Sequence, residues 1–226
     1  MLPVPEKGSE TNVSMMNPAA NKSKREWRAA FKAVLDGMDA EARLAGSERI
    51  CEFLRRSGLW NESRVVLLYY PTVKEPDILP LLLNNPAHSC QLKHAFPRYN
   101  SSTLDYDPCL IENAERDFQA GRFGIMEPKT ACKIVDGKSV DMILIPGVGF
   151  NVEGVRIGHG NGFYDRICMK VSGVRIGIAF DEQVVSSKLP IEPHDVAMDF
   201  LVTPKGGIIV TGLSRGQHSF HRCDRP

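Results

Sequence analysis

The hydrophobic positions of the chain fall into two kinds of block, one spaced for helices and one run together for buried strands. Trp27, Phe31, Val34 and Leu35 recur at helical spacing until Asp36-Gly37 interrupts them. Ser23 stands where a cap for that helix belongs, although Lys24 and Arg25 are unusual cations so close to a positive dipole end. A second helix is predicted over residues 39–56, with Leu44, Ile50, Phe53 and Leu54 on its buried side and Ser57-Gly58 as its stop. Residues 64–70, RVVLLYY, form a continuous apolar run typical of a strand covered on both faces, and Pro71 ends it. A short helix is expected over residues 77–83, and a weaker strand over 90–95 leads into Phe96-Pro97-Arg98-Tyr99. Residues 100–138 read as irregular. Residues 140–146, VDMILIP, are the best buried strand and run into a glycine-rich loop that extends to Gly173, inside which a helix spans residues 164–171. Further strands are expected at 174–180 and 200–203.

Strands separated by helical patterns argue for an α/β fold, a three-layer sandwich with a largely parallel sheet. Ligands of such sheets bind beyond the carboxyl ends of the strands. The loops after Tyr70, Ala95, Pro146 and Phe180 therefore share one rim. Residues 1–21 and 212–226 read as tails around a single catalytic domain of residues 22–211.

Composition narrows the chemistry. A net charge of +1 on 226 residues gives no global pull toward nucleic acid or membrane. Any anion must be held by a local arrangement of donors. The six cysteines are scattered, no two within four residues of each other, so no zinc or redox pair is spelled out and free thiols in a reducing compartment are expected. No apolar run approaches membrane-spanning length, and the first twenty residues lack an apolar signal core, so a cytoplasmic protein is the expectation.

The chemistry concentrates in residues 141–166, DMILIPGVGFNVEGVRIGHGNGFYDR. A hydrophobic strand delivers the chain to a loop rich in glycine, whose main-chain N–H groups can approach an anion with no side chain in the way. The loop opens into a helix whose first N–H groups favour phosphate. Arg156 and Arg166 offer guanidinium forks, and Asp165 is an oxygen ligand for a phosphate-bound cation. A glycine-rich turn made for chain reversal is the bland alternative. The loop is not GxxxxGK[ST], nor does it fit a dinucleotide fingerprint.

This segment resembles the 5-formyltetrahydrofolate cyclo-ligase family (methenyltetrahydrofolate synthetases), whose signature runs from a PGxxF strand exit into GxRxGxGxGYYD. The chain has PGVGF and GVRIGHGNGFYDR, and the likeness continues through KSKREWR, YYPTVKEPD, FPRY, GIMEP, GIAFDEQ and LPIEPHDVAMD, from about residue 24 to 203. The resemblance implies a fold like that of NagB, RpiA and the CoA transferases. It also implies an ATP- and Mg²⁺-dependent ring closure of 5-formyltetrahydrofolate to 5,10-methenyltetrahydrofolate, releasing ADP and phosphate. Carried over residue by residue, it assigns ATP to Lys24, Arg28 and the loop Arg156, Ile157, Gly158, His159, Gly160, Asn161, Gly162, Phe163 and Tyr164. Folate falls to Tyr70, Glu75, Tyr99 and Phe123, with His159 to Phe163 bordering it as well. Magnesium falls to Asp165 and Asp195, although Asp199 lies only four residues beyond Asp195. Arg98 is placed to face phosphate or the folate tail. Arg156, His159 and Tyr164 are the candidate catalytic residues, and phosphate or substrate contact is the alternative role for His159.

Some members of the family carry GRGKGYYD where this chain has His159, Asn161 and Phe163, which removes two formal charges and one hydroxyl from the loop. The implied partners are small molecules acting on a monomer, with neither nucleic acid nor membrane. A phosphosugar isomerase or CoA transferase relative, and a non-catalytic folate or nucleotide binder, are the competing readings.

Overall fold

The computed structural model describes residues 22–83, 92–121 and 124–209. The expected tails lie outside these residues. Helix α1, Lys24–Gly37, begins at a capping box in which the Ser23 hydroxyl accepts from the Glu26 N–H and Glu26 Oε2 accepts from the Ser23 N–H at 2.8 Å. Lys24 is tolerated beside the positive dipole because its ammonium is held by two acids from the far end of the chain, Glu192 at 2.9 Å and Asp195 at 2.6 Å. The helix buries Trp27, Phe31 and Leu35, while Val34 turns outward at 42% exposure.

Helix α2, Ala40–Arg56, shows a larger departure. Its packed face is Ser47, Ile50, Cys51 and Leu54, with Gly46 beside it, and Leu44 is 58% exposed. Gly46 sits so close to the Phe180 ring that a Cβ there would lie 3.1 Å from it. Small residues took the face that hydropathy alone gives to leucine. Ser57 ends α2 and caps the short α3, Gly58–Glu62, by accepting from the Trp60 N–H.

Seven strands make the main sheet, in the order β12-β11-β9-β6-β1-β2-β3. Its parallel centre comprises β1 (Val65–Leu67), β2 (Lys93–Asn100), β6 (Met142–Pro146), β9 (Val174–Ile178) and β11 (Phe200–Thr203). Two antiparallel strands close the edges, β3 (Asp105–Ile111) beside β2 and β12 (Gly206–Ile209) beside β11. The pleat sorts successive residues into two layers. Val66, Leu68, Met142 and Leu144 pack with Ile50, Leu54 and Trp60 of α2 and α3. Leu67, Ile143 and Ile145 pack on the other face with Ile167 and Cys168 of α4, Phe163–Lys170. Helices on both faces of a mainly parallel sheet are the three-layer arrangement expected from the sequence.

Residues 100–138 are more regular than their polarity suggested. β3 pairs with β2 over seven residues, His94↔Ile111 through Asn100↔Asp105. Its register sets Pro97 opposite Pro108, a pair in which neither residue has an N–H to give, so the two occupy a non-hydrogen-bonded position of the ladder. A second hairpin follows, β4 (Phe118–Ala120) with β5 (Met126–Pro128). The short helix near residue 80 is a 3₁₀ turn, Leu79–Leu82. The glycine loop also holds structure, because β7 (Gly149–Asn151) pairs with β8 (Arg156–Ile157) and with β10 (Val184–Val185). A third core of Trp27, Phe31, Val148, Val155, Ile157 and Leu189 joins α1 to this small sheet.

Candidate active site

A cavity of about 680 Å³ opens at the carboxyl ends of β1, β2 and β6. β1 continues into Tyr70, Thr72 and Glu75, β2 contributes Phe96, Pro97 and Tyr99, and the loop after β6 contributes Pro146 and residues 156 and 158–166. α1 adds Lys24 and Arg28 from one side, and the stretch before β11 adds Glu192, His194 and Asp195. Of the stretch after Phe180, expected on the same rim, Glu192, His194 and Asp195 line the cavity, whereas its first turn, Asp181–Gln183, does not. That turn works beneath the cavity: the buried Gln183 amide donates to the carbonyls of Gly147 at 2.8 Å and Val148 at 3.2 Å, and its oxygen accepts from the Phe180 N–H. That prop sets the turn through which β6 enters the glycine loop.

The glycines divide by task. Gly147 and Gly149 are packing positions: a Cβ on Gly149 would fall 2.2 Å from the Phe31 ring. Gly160 and Gly162 bend the open part of the loop, with φ of 107° and 59°, and Gly162 is the residue on which α4 begins. Among the described residues, no main-chain N–H from His159 to Asp165 donates a hydrogen bond within the chain; the first such donor is the Arg166 N–H, to Gly162 O at 3.1 Å. The residues that carry this row of unspent donors line the cavity and lead into the positive end of a helix.

Cations surround that row. Arg28 Nε donates to Gly158 O at 2.8 Å, which docks α1 on the loop. Arg156 is 9% exposed, and its Nη2 meets Asp165 Oδ2 at 2.9 Å while its guanidinium lies 5.6 Å from the Tyr164 ring centre. Its Nε is buried without a hydrogen-bond partner among the described residues. Arg166 Nη1 donates to Asn161 O at 3.0 Å, and its Nε stands 3.7 Å from Asp105 Oδ1. Burial lowers the affinity of Lys24 for its proton, but hydrogen bonds and charge from Asp195 and Glu192 outweigh it and hold the ammonium above its ordinary range. For Asp195 the balance mirrors this: burial pushes the carboxyl up, and the Lys24 ammonium with the Glu192 N–H brings it below the ordinary carboxylate range.

The neighbouring wall is aromatic. Tyr99, Tyr106, Phe163 and Tyr164 follow one another edge to face, with ring centres 5.3, 4.0 and 4.4 Å apart. Burial raises the Tyr164 hydroxyl well above its usual pKa, so it stays protonated. Tyr70 packs its edge on Phe118 at 5.1 Å. Glu75 is presented by a tight turn: its Oε2 accepts from the Thr72 N–H at 2.9 Å, and the Tyr69 hydroxyl braces the turn by donating to Pro76 O at 2.7 Å. Glu75 Oε1 lies 3.8 Å from His159 Nε2, linking the turn after β1 to the glycine loop.

The cavity thus gathers Lys24, Arg28, Tyr70, Glu75, Tyr99, Arg156, residues 158–164, Asp165 and Asp195, as expected from the sequence. Ile157 is the exception. Its side chain is fully buried behind the loop against Trp27 and Phe31, so it shapes the site without lining it. Arg98 is also displaced from its expected role, because its Nη1 donates to the carbonyls of Lys129 and Cys132 and ties β2 to the segment beyond β5. Phe123 lies outside the described residues. Asp199 separates from Asp195: it forms a fork with Arg175 at 2.7 and 2.9 Å, away from the cavity wall. Sequence reasoning missed Glu127, Tyr106, Leu104 and Glu192 as lining residues. GIMEP, around Glu127, and LPIEPHDVAMD, which contains Glu192, carried a signal that would have found two of them. Cys51, Cys109, Cys132 and Cys168 are free. Burial pushes the thiols of Cys51 and Cys168 up to about 12, which leaves them unreactive.

The fold and cavity define an α/β protein with a glycine-rich loop of unpaired main-chain N–H groups beside an aromatic cleft that carries a carboxylate. A family model described as the 5-formyltetrahydrofolate cyclo-ligase family matches residues 20–204, and the chain belongs to that family. It is 29% identical over 170 residues to the 5-formyltetrahydrofolate cyclo-ligase of Mycolicibacterium smegmatis, covering 68% of this chain and 80% of that protein. To the Saccharomyces cerevisiae 5-formyltetrahydrofolate cyclo-ligase it is 27% identical over 213 residues, covering 82% and 97%. The solution structure of Aquifex aeolicus 5,10-methenyltetrahydrofolate synthetase superimposes with a TM-score of 0.74 at 30% identity, covering 88% of this chain and 98% of that one. A Mycoplasma pneumoniae 5,10-methenyltetrahydrofolate synthetase shares the fold at 20% identity, with a TM-score of 0.62. Among the described residues no helix is long and apolar enough to cross a membrane.

Proposed function

We propose that this chain converts 5-formyltetrahydrofolate to 5,10-methenyltetrahydrofolate at the expense of ATP, releasing ADP and phosphate. The observation that carries the reading is the row of unspent N–H groups from His159 to Asp165, opening into the same cavity as the aromatic wall and Glu75. One end suits a polyphosphate and the other a flat, donor-rich heterocycle, and both are needed when one substrate phosphorylates the other.

The formyl group is an amide whose oxygen leaves poorly. Its oxygen attacks the terminal phosphorus of ATP; the O–P bond to ADP breaks and an iminium phosphate forms. The second folate nitrogen then attacks the activated carbon, the C–O bond breaks, and phosphate departs with the proton of that nitrogen. No protein nucleophile is required. The loop amides, Arg28 and Lys24 hold the phosphates in line, and Arg156 stiffens the loop by anchoring it to Asp165 at the start of α4. Tyr70 and Tyr99 flank the heterocycle, Glu75 accepts from its aminopyrimidine donors, and His159 contacts substrate from the open side.

The acids present fit Mg²⁺. Asp165 and Asp195 line the cavity with their oxygens held by Arg156, the Val196 N–H and Lys24, and Glu192, His194 and Asp195 have ligand atoms within 4.8 Å of one another. Bound there through Asp195 and Asp165, the ion would neutralise charge on the phosphate oxygens. The test is formation of methenyltetrahydrofolate, followed by its absorbance, from 5-formyltetrahydrofolate, ATP and Mg²⁺, with ADP released one for one. Folate binding without ATP turnover by the folded protein would refute the catalytic assignment.

A further inference from the structure

Glu127 is the acid of the cavity that no part of the reaction above employs. It lies on β5, a strand that sequence reasoning left as loop, and is 9% exposed yet forms part of the cavity wall. Among the described residues its carboxylate has one hydrogen bond: Oε2 accepts from the Tyr99 N–H at 3.0 Å. That bond straps β5 to β2 and fixes which way the carboxylate turns. Among the described residues the remaining oxygen has no hydrogen-bond partner and is not enclosed by protein, and Tyr99, Met126 and Pro97 line the cavity beside it. Gly121 packs behind it, where a Cβ would fall 2.4 Å from the Glu127 side chain.

A carboxylate oxygen that opens on a binding cavity with no protein donor beside it is matched by a ligand that brings one. Phosphate and formyl oxygens are acceptors and would be repelled. The donors that a reduced folate brings are its N–H groups. Resting on the cyclo-ligase reading, we infer that Glu127 is a second folate-recognition carboxylate, separate from Glu75, whose free oxygen accepts a hydrogen bond from an N–H of the bound reduced folate. Glu75 arises from the turn after β1 and Glu127 from β5, so two acceptors reach the substrate from different elements.

Glu127→Gln separates this role from a structural one. The amide oxygen of Gln can still accept from the Tyr99 N–H, so the strap survives, while the group facing the cavity changes from acceptor to donor. A purely structural role is therefore rescued by Gln and a recognition role is not. Loss of one charge-assisted hydrogen bond corresponds to about a 10- to 100-fold weakening. The expected result is that rise in the KM for 5-formyltetrahydrofolate, with the same loss in calorimetric folate affinity measured without ATP. The KM for ATP should stay within about twofold, and the thermal midpoint should be unchanged. Glu127→Asp, which keeps the charge but withdraws it by one methylene, should also weaken folate and decides the matter should the Gln variant fail to fold. Parent-like folate affinity in a folded Gln or Asp variant, beside an active parent, overturns the inference alone. A parent that neither binds nor converts the folate overturns the cyclo-ligase reading and this inference together.

Discussion

Removing the Arg156 side chain should unsettle both the stability of the protein and its phosphate site. Arg156 and Asp165 have side chains only 6% and 14% exposed, and Nη2 and Oδ2 meet at 2.9 Å. A surface pair of the same length would be worth about 0–1 kcal/mol. Here Arg156→Ala leaves a carboxylate in a largely dry setting with its partner gone, which costs about 3–5 kcal/mol. Loss of the stacking on Tyr164 adds about 0.5–2 kcal/mol. For a chain of 226 residues, about 4 kcal/mol corresponds to a fall of about 8–16 °C in the melting midpoint. Urea unfolding of Arg156→Ala, Asp165→Asn and the double variant measures the coupling directly. The double variant should lose less than the sum of the two singles by about 2–3 kcal/mol, because neither charge is then stranded. At a temperature where the single variant is still folded, turnover should fall at least about 100-fold, since the loop amides lose the anchor that aims them. Additivity within about 0.5 kcal/mol, or a stability loss under about 1 kcal/mol, would refute the reasoning by showing the pair to be screened by water.

Three further outcomes follow from the same geometry. Gly160→Ala forces a side chain onto φ of 107°, at a cost of about 1–3 kcal/mol in the loop, and should raise the KM for ATP more than that for the folate, as initial-rate kinetics will show. Asp195 is held below its ordinary pKa, so its contribution is present above the unfolded value of 3.8 and is lost as pH falls through the folded one. The stability gap between parent and Asp195→Asn should therefore be flat between about pH 5 and 7 and close on the acid side of 3.8, measured by urea unfolding at each pH. Asp199→Asn breaks the fork with Arg175 and should cost about 3 kcal/mol of stability without changing the dependence of rate on Mg²⁺ or ATP, which distinguishes the two neighbouring acids.

The central strands were legible because their requirement is local. β6 is buried at every position, so it must be apolar at every position, and no other reading of MILIP competes. β3 was not legible, because DYDPCLI has neither an unbroken apolar run nor a clean alternation; its pairing is fixed by β2, which reaches it through a register that no single segment encodes. The face of α2 failed for a related reason. Gly46 is buried where the Phe180 ring crowds it, Ser47 is buried where its hydroxyl accepts from the Asp77 N–H, and a hydropathy pattern cannot register a neighbour from another element.

The same division runs through the site. The amides of residues 159–165 need only glycine at two left-handed positions and a helix to follow, all of which are written consecutively, so the loop could be read directly. The charges that act on it come from far along the chain: Lys24 meets Asp195 across 171 positions, and Arg28 meets Gly158 across 130. Spacing has no access to such pairs, and family likeness supplied the residues as nucleotide and metal contacts without their pairing. That likeness misled where two candidate residues stand side by side, as with Arg98 beside Tyr99, because a motif preserves identity without direction. Arg98 and Tyr99 are adjacent on β2, so the pleat sends their side chains to opposite faces. Tyr99 lines the cavity, and Arg98 binds the carbonyls of Lys129 and Cys132. A residue carried over from a family motif therefore earns a functional role only when its face of the strand agrees, and by that criterion Glu127, whose carboxylate is strapped to the Tyr99 N–H on the cavity side, ranks above Arg98.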